Sequence, residues 1–148
     1  MARSGRRSGT HGQPSSDEPP LVAIVDDDAS LRQSSCRLVR SFGYRAEAFA
    51  SGDELLRSPR LAETACLLLD VRMPRVDGLE VQRRLAERDA DIPIVFLTGR
   101  ATDDEERRAR AAGAVEFLRK PARSDALLQA FRKAVQAPRR VRENANDD

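Results

Sequence analysis

The sequence predicts an α/β fold, a doubly wound sandwich of five βα units on a parallel sheet. Short apolar runs alternate with segments of helical periodicity along most of the chain. Several of those runs end abruptly on a charged or hydroxyl residue, and Leu67-Leu68-Leu69-Asp70 is the clearest case. In an open parallel sheet the carboxyl ends of the strands form the ligand crevice, so residues placed there carry chemistry.

The elements follow in order. Leu21 to Val25 is the first strand, and Ala29 to Phe42 is a helix expected to turn Leu31, Leu38, Val39 and Phe42 toward the sheet. Gly43 stops that helix. Tyr44 to Phe49 is a less apolar strand, expected nearer an edge, and Ser51-Gly-Asp-Glu54 opens a short helix with a capping box that ends before Pro59. Cys66 to Leu69 is the central strand. The helix over Val76 to Arg88 presents Leu79, Val81 and Leu85, and Ile92 to Leu97 is the next buried strand. Thr102-Asp-Asp-Glu105 starts a further helix that Gly113 ends, and Val115 to Leu118 is the fifth strand. Ser124 to Val135 closes the pattern with Leu127, Leu128, Phe131 and Val135 on one side.

A chain of 148 residues that is 40% hydrophobic and 34% charged supports one compact domain and leaves no room for a second. Residues 1–19, rich in Arg, Ser, Gly and Pro, are expected to be a disordered tail. Residues 20–137 are the folded unit, and 138–148 are a flexible C-terminal tail. No apolar run approaches the roughly 20 residues of a membrane span, and the N-terminus has no signal-peptide core, so a cytoplasmic protein is expected. Cys36 and Cys66 have neither CxxC nor Cys/His spacing and read as buried free thiols. A net charge of +2 from 26 basic and 24 acidic residues gives no reason to expect direct nucleic-acid binding.

Four strand exits converge on one crevice: Asp26-Asp27-Asp28, Asp70, Thr98-Gly99 and Arg119-Lys120-Pro121. Carboxylates crowded in a partly desolvated site repel one another, and a divalent cation with a nearby ammonium is the simplest compensation. Magnesium suits an all-oxygen site, and Lys120 supplies the ammonium. A carboxylate in such surroundings can attack phosphorus and hold the phosphoryl group as an acyl phosphate, with Thr98 hydrogen-bonding the incoming oxygens.

Val25-Asp26-Asp27, Asp70 before Met73-Pro74 and Asp77-Gly78, then Thr98 and Lys120-Pro121 resemble a two-component response-regulator receiver domain across the whole folded region. Asp70-Val-Arg-Met-Pro, Leu97-Thr-Gly99 and Gly113-Ala-Val-Glu-Phe-Leu-Arg-Lys-Pro121 are most similar to FixJ-type receivers. The resemblance implies a CheY-like, flavodoxin-like three-layer sandwich with strand order 2-1-3-4-5. It makes Asp70 the phosphoacceptor and gives Mg2+ to Asp26, Asp27, Asp70 and the backbone carbonyl of Arg72, leaving Asp28 as a helix cap. Thr98 becomes the switch hydroxyl, Phe117 the switch aromatic, and Lys120 the partner of the phosphoryl oxygens, with a cis bond to Pro121. The loop residues Met73-Pro74 and Asp77-Gly78 are expected to shape the turn beside Asp70, with glycine accepting a positive φ. Arg72 and Arg100 are expected beside the acyl phosphate, tuning its lifetime. The implied partners are a histidine kinase or histidine phosphotransfer protein as donor, and a downstream protein on the face of the fourth helix, fifth strand and fifth helix.

The fourth helix departs from the FixJ pattern. Thr102 to Ala112 carries alanine as its only apolar residue, so its attachment is expected to be weak and phosphorylation-dependent homodimerisation through an apolar face is in question. A contact laced with Asp103, Asp104, Glu105, Arg107, Arg108 and Arg110 is one alternative; charges that face water and pair at i,i+4 are the other. No helix-turn-helix, catalytic or ATP-binding segment follows Ala137, so the receiver is expected to stand alone, with output by protein contact or phosphorelay. The alternatives are the receiver part of a truncated FixJ-type transcription factor and a phosphorylation-independent binding module. A haloacid-dehalogenase-type phosphatase needs a second acid where this chain has Arg72.

Overall fold

The computed structural model describes residues 18–137. Of the expected tails, 1–19 and 138–148, residues 1–17 and all of 138–148 lie outside the described residues. Glu18 and Pro19 are held by Arg45, whose guanidinium meets the Glu18 carboxylate at 3.6 Å and donates to the Pro19 carbonyl at 2.8 Å.

Strands β1 (Leu21–Val25), β2 (Arg45–Phe49), β3 (Thr64–Leu69), β4 (Ile94–Thr98) and β5 (Glu116–Arg119) form one parallel sheet in the order β2-β1-β3-β4-β5. Helices α1 (Ala29–Ser41), α2 (Gly52–Leu56), α3 (Gly78–Glu87) and α4 (Asp103–Ala111) connect successive strands, and α5 (Ser124–Gln136) follows β5. Successive strand residues point to opposite faces, which is why these apolar runs can fill two cores at once. Val22, Ile24, Cys66, Leu68 and Val95 face α1 and α5, packing on Val39 and on Phe131. Ala23, Val25, Leu67, Leu69, Ile94 and Phe96 face the other way, onto Leu55 of α2, Val81 and Leu85 of α3, and Ala109 of α4. Burying a side chain such as Phe131 contributes about 1.5–3 kcal/mol. Both thiols are buried and free, and burial pushes the Cys66 thiol well above its ordinary value.

Several expectations need correction. Leu31 is 40% exposed instead of facing the sheet. On a 100° wheel it stands 140° from buried Cys36, whereas Arg32 stands only 40° away and donates to the Asp26 carbonyl at 2.9 Å. Leu128 is half-buried, and alanines 130 and 134 form the inner face of α5 with Leu127 and Phe131. The strand β3 begins at Thr64, after a 3-10 turn over Leu61–Glu63, and β4 runs from Ile94 to Thr98 because Pro93 offers the ladder only its carbonyl, which accepts from Leu67 N–H at 2.9 Å. The Asp77 side chain caps α3 by accepting from Glu80 N–H at 2.9 Å, which starts the helix at Gly78. Ser51 caps α2, but Glu54 accepts from Ala50 N–H, one residue before the cap.

The two central strands place the site. The backbone N–H of Asp70 donates to Val25 O and that of Asp26 to Phe49 O, both at 3.3 Å, so the parallel ladder extends one residue beyond β1 and β3 and fixes both aspartates at the sheet's carboxyl edge. Gly78 then packs beneath that edge. Its N–H donates to Val71 O at 2.9 Å, and a Cβ there would collide with the backbone carbonyl of Asp70. Close approach is therefore what requires glycine at 78, and the positive φ of this loop falls on Arg75, at 65°. Gly78→Ala is expected to lower stability by about 1–3 kcal/mol through overpacking; urea unfolding of the two proteins measures it, and an unchanged midpoint contradicts the packing argument.

Candidate functional site

Asp26 and Asp70 are both buried, whereas Asp27 is exposed at the mouth. One carboxylate oxygen of each lies within 4.8 Å of the others, a set of hard oxygen donors that fits a small divalent cation such as magnesium. The Lys120 ammonium reaches in from the end of β5 and stands 3.3 Å from Oδ2 of Asp26 and 3.3 Å from Oδ2 of Asp70. Its backbone N–H donates to Thr98 O at 2.8 Å, and the following bond to Pro121 is cis. Burial by itself lowers the Lys120 pKa, but the charges of Asp70 and then Asp26 outweigh it and hold the ammonium above its ordinary value.

Local turns aim these groups. Asp26 Oδ1 accepts from Asp28 N–H at 3.0 Å, and Asp28 Oδ1 accepts from Leu31 N–H at 3.1 Å, which makes Asp28 the N-cap of α1 and leaves it out of the acidic cluster. Asp70 Oδ1 accepts from Arg72 N–H at 3.1 Å. The other oxygens of the two buried acids, Oδ2 of Asp26 and Oδ2 of Asp70, accept from Lys120.

Thr98 is fully buried at the end of β4, yet its hydroxyl is engaged locally: it donates to Arg100 O at 3.1 Å and accepts from Arg100 N–H at 3.4 Å. Phe117 is buried, its ring 5.5 Å from that of Phe96 between centroids, with the Arg119 guanidinium over the ring at 5.6 Å from its centroid. The structure thus unites Asp26, Asp27, Asp70 and Lys120, while the Thr98 hydroxyl is engaged with Arg100 and the Phe117 ring with Phe96 and Arg119.

Ala109 is the single buried residue of α4, as the alanine-only pattern implies. Polar bonds to three other elements hold the helix. Gln82 of α3 donates to Ala109 O at 3.0 Å; Arg72 donates to Glu105 at 2.9 Å; Arg119 donates to Ala101 O at 2.8 Å and to Glu106 at 2.9 Å. Pairs within the helix, Arg107–Asp104 and Arg110–Glu106, add to these, and Thr102 and Glu105 form a full capping box. Gln82 and Arg119 were not visible as anchors from the sequence. A buried glutamine in an otherwise apolar line of α3, and an arginine beside Phe117, are the signals that could have found them.

Residues 22–132 match the family of response regulator receiver domains. The chain belongs to that family. It is similar to the response regulator protein TmoT of Ectopseudomonas mendocina, with 40% identity over 129 residues, 87% of this chain and 59% of TmoT. Among solved structures, the response regulator StyR superposes with a TM-score of 0.76 at 39% identity, covering 87% of this chain and 65% of StyR. The structure of FixJ-N does so with a TM-score of 0.75 at 27% identity, covering 84% of this chain and 99% of FixJ-N. The receiver spans about three fifths of the length of the curated relatives it matches. Its sheet order and helix layers are those of the CheY-like fold, and among the described residues no helix is long and apolar enough to cross a membrane.

Glu106 is the α4 anchor whose carboxyl is shifted. Hydrogen bonds from Arg119, and next from Arg110, hold the Glu106 carboxyl below its ordinary value of 4.5. A depressed carboxyl contributes stability that is whole above the unfolded value and lost as pH falls through the folded one. Amide exchange in α4, corrected for intrinsic rate, is therefore expected to accelerate below pH 4.5 in the wild type and to respond less in Glu106→Gln; equal pH profiles contradict the Arg119–Glu106 anchor.

Proposed function

We propose that the receiver takes a phosphoryl group onto Asp70 from a histidine kinase or histidine phosphotransfer protein and passes the change in charge to a protein-binding face formed by α4, β5 and α5. The observation that carries this reading is the ammonium of Lys120 equidistant from Asp26 and Asp70 at the carboxyl edge of adjacent strands. An Oδ of Asp70 attacks phosphorus, the P–N bond of the donor phosphohistidine breaks, and the bonding pair returns to the imidazole nitrogen. Lys120 balances the phosphoryl oxygens. Asp26, Asp27 and Asp70 would hold Mg2+, with the backbone carbonyl of Arg72 as a further ligand by family resemblance, and the ion would supply charge neutralisation for the transfer. Later attack of water on phosphorus frees the Asp70 carboxylate, so the receiver is self-resetting and is not a dedicated enzyme.

The switch begins where the Thr98 hydroxyl gives up Arg100 for a phosphoryl oxygen. Phe117 follows the volume Thr98 vacates, and its Arg119 cover moves with it, shifting the population of α4 positions. The charged surface of α4 favours a heterologous downstream protein over an apolar homodimer. A cytoplasmic location agrees with the implied kinase partner. A second reading, the receiver part of a FixJ-type transcription factor, is favoured by the greater length of the relatives.

Incubation with acetyl phosphate and Mg2+ is expected to add one phosphoryl group by intact mass, and Asp70→Asn to add none; labelling that persists in the variant removes Asp70 from this role. Millimolar Mg2+ is expected to raise the thermal midpoint of the wild type by mass action and to do so much less in Asp27→Asn, as read by scanning calorimetry with calcium-free magnesium chloride.

A further inference from the structure

We infer that Glu105 is a positioning residue: it holds the Arg72 guanidinium on α4, and a phosphoryl group on Asp70 competes for that guanidinium and so releases the first turn of the helix. The inference rests on Asp70 being the phosphoacceptor, and it gives the site a line to α4 that does not pass through Thr98.

The residues form an unbroken chain. Arg72 N–H donates to Asp70 Oδ1 at 3.1 Å, and the same residue's guanidinium donates to Glu105 Oε1 at 2.9 Å. Glu105 Oε1 also accepts from Thr102 N–H at 3.0 Å, while Thr102 Oγ1 accepts from Glu105 N–H at 3.0 Å. One oxygen therefore serves both the ion pair and the capping box. Among the four α4 carboxylates Glu105 is the least exposed, at 15%, against 29% for Glu106, 62% for Asp104 and 94% for Asp103. A carboxylate largely removed from solvent depends on its cation more than a solvated one does. The helix it serves buries only Ala109, so no apolar ridge fixes its N-terminal turn.

Arg72 lies two residues from Asp70, on the loop whose backbone already touches that carboxylate. A phosphoryl group brings close to two negative charges and three acceptor oxygens, and a planar guanidinium binds such oxygens in pairs. Arg72 is then divided between two anions. To the extent that it turns to the phosphoryl group, Glu105 loses its counter-charge and keeps only the capping bonds, and the population of α4 with a loosened first turn rises.

Glu105→Gln isolates the pair, because glutamine at the third helical position still closes a capping box. The full chain is measured by amide exchange at Glu105, Glu106 and Arg107, unlabelled and after acetyl phosphate with Mg2+, with intact mass read on the same samples. In the unlabelled wild type these amides are expected to be about two- to fivefold more protected than in Glu105→Gln, the range of a surface-exposed pair, and raising sodium chloride is expected to narrow that gap. Labelling is expected to accelerate them in the wild type and to add little in Glu105→Gln. Equal protection of the two unlabelled proteins overturns the tether, and an equal labelling increment in both overturns the competition. A wild type that gains no mass while the unlabelled difference stands counts against the phosphoacceptor reading and against the competition, and leaves the tether intact, so the two failures are told apart.

Discussion

Two carboxylates cannot be buried side by side without a counter-charge, and that constraint organises the carboxyl edge of this sheet. Asp26 and Asp70 are fixed by the ladder of β1 and β3, so neither can retreat from the other. Lys120 resolves the conflict from a distance of 50 residues in sequence beyond Asp70, held by its N–H bond to the end of β4 and oriented by the turn into α5. The fold's parallel order therefore does more than stack hydrophobic strands. It brings the first, third and fifth strand ends within hydrogen-bond reach and lets β4 place Thr98 alongside.

On one side of that cluster the structure is tightly packed, and on the other it is polar and adjustable. Gly78 presses α3 against the Asp70 carbonyl, and Val81 and Leu85 seal it to the sheet. Across the crevice α4 is held by arginines and one glutamine. Surface ion pairs contribute about 0.2–1 kcal/mol each, less than the burial of a single large apolar side chain. A charge placed on Asp70 thus meets a rigid backbone on the α3 side and weakly bound groups on the α4 side, which sets the direction in which a response can travel.

Much of this was legible in the sequence because strand exits and caps are local signals. The runs ending at Val25, Leu69 and Leu97 announced both the sheet and the edge on which the acids stand, Ser51 and Thr102 cap helices where their spacing predicts, and Asp28 caps one as the family resemblance implies. What was not legible depended on geometry across elements. The phase of α1, which exposes Leu31 and turns Arg32 inward, follows from where Cys36 and Val39 meet the sheet and not from hydrophobicity alone. The sequence predicts a turn role for Gly78, because a missing Cβ looks the same in sequence whether φ or a neighbouring carbonyl demands it. The engagement of Thr98 with Arg100, and the reach of Arg72 and Arg119 to α4, are long side-chain choices that no spacing rule encodes.

The single buried alanine of α4 has a consequence for how such a chain can diversify. A helix seated by a large apolar ridge resists change, since each substitution opens a cavity or forces a clash in the core it shares with the chemistry. Here the outward surface, and the seat apart from buried Ala109 and its bond from Gln82, are built from exchangeable surface charges, so an outward arginine or glutamate can be gained, lost or reversed at small thermodynamic cost while Asp26, Asp70 and Lys120 stay as they are. Recognition of a new target can drift at outward charges such as Asp104 and Arg107, which among the described residues pair only with each other, while Glu105 stays tied to the reaction through Arg72.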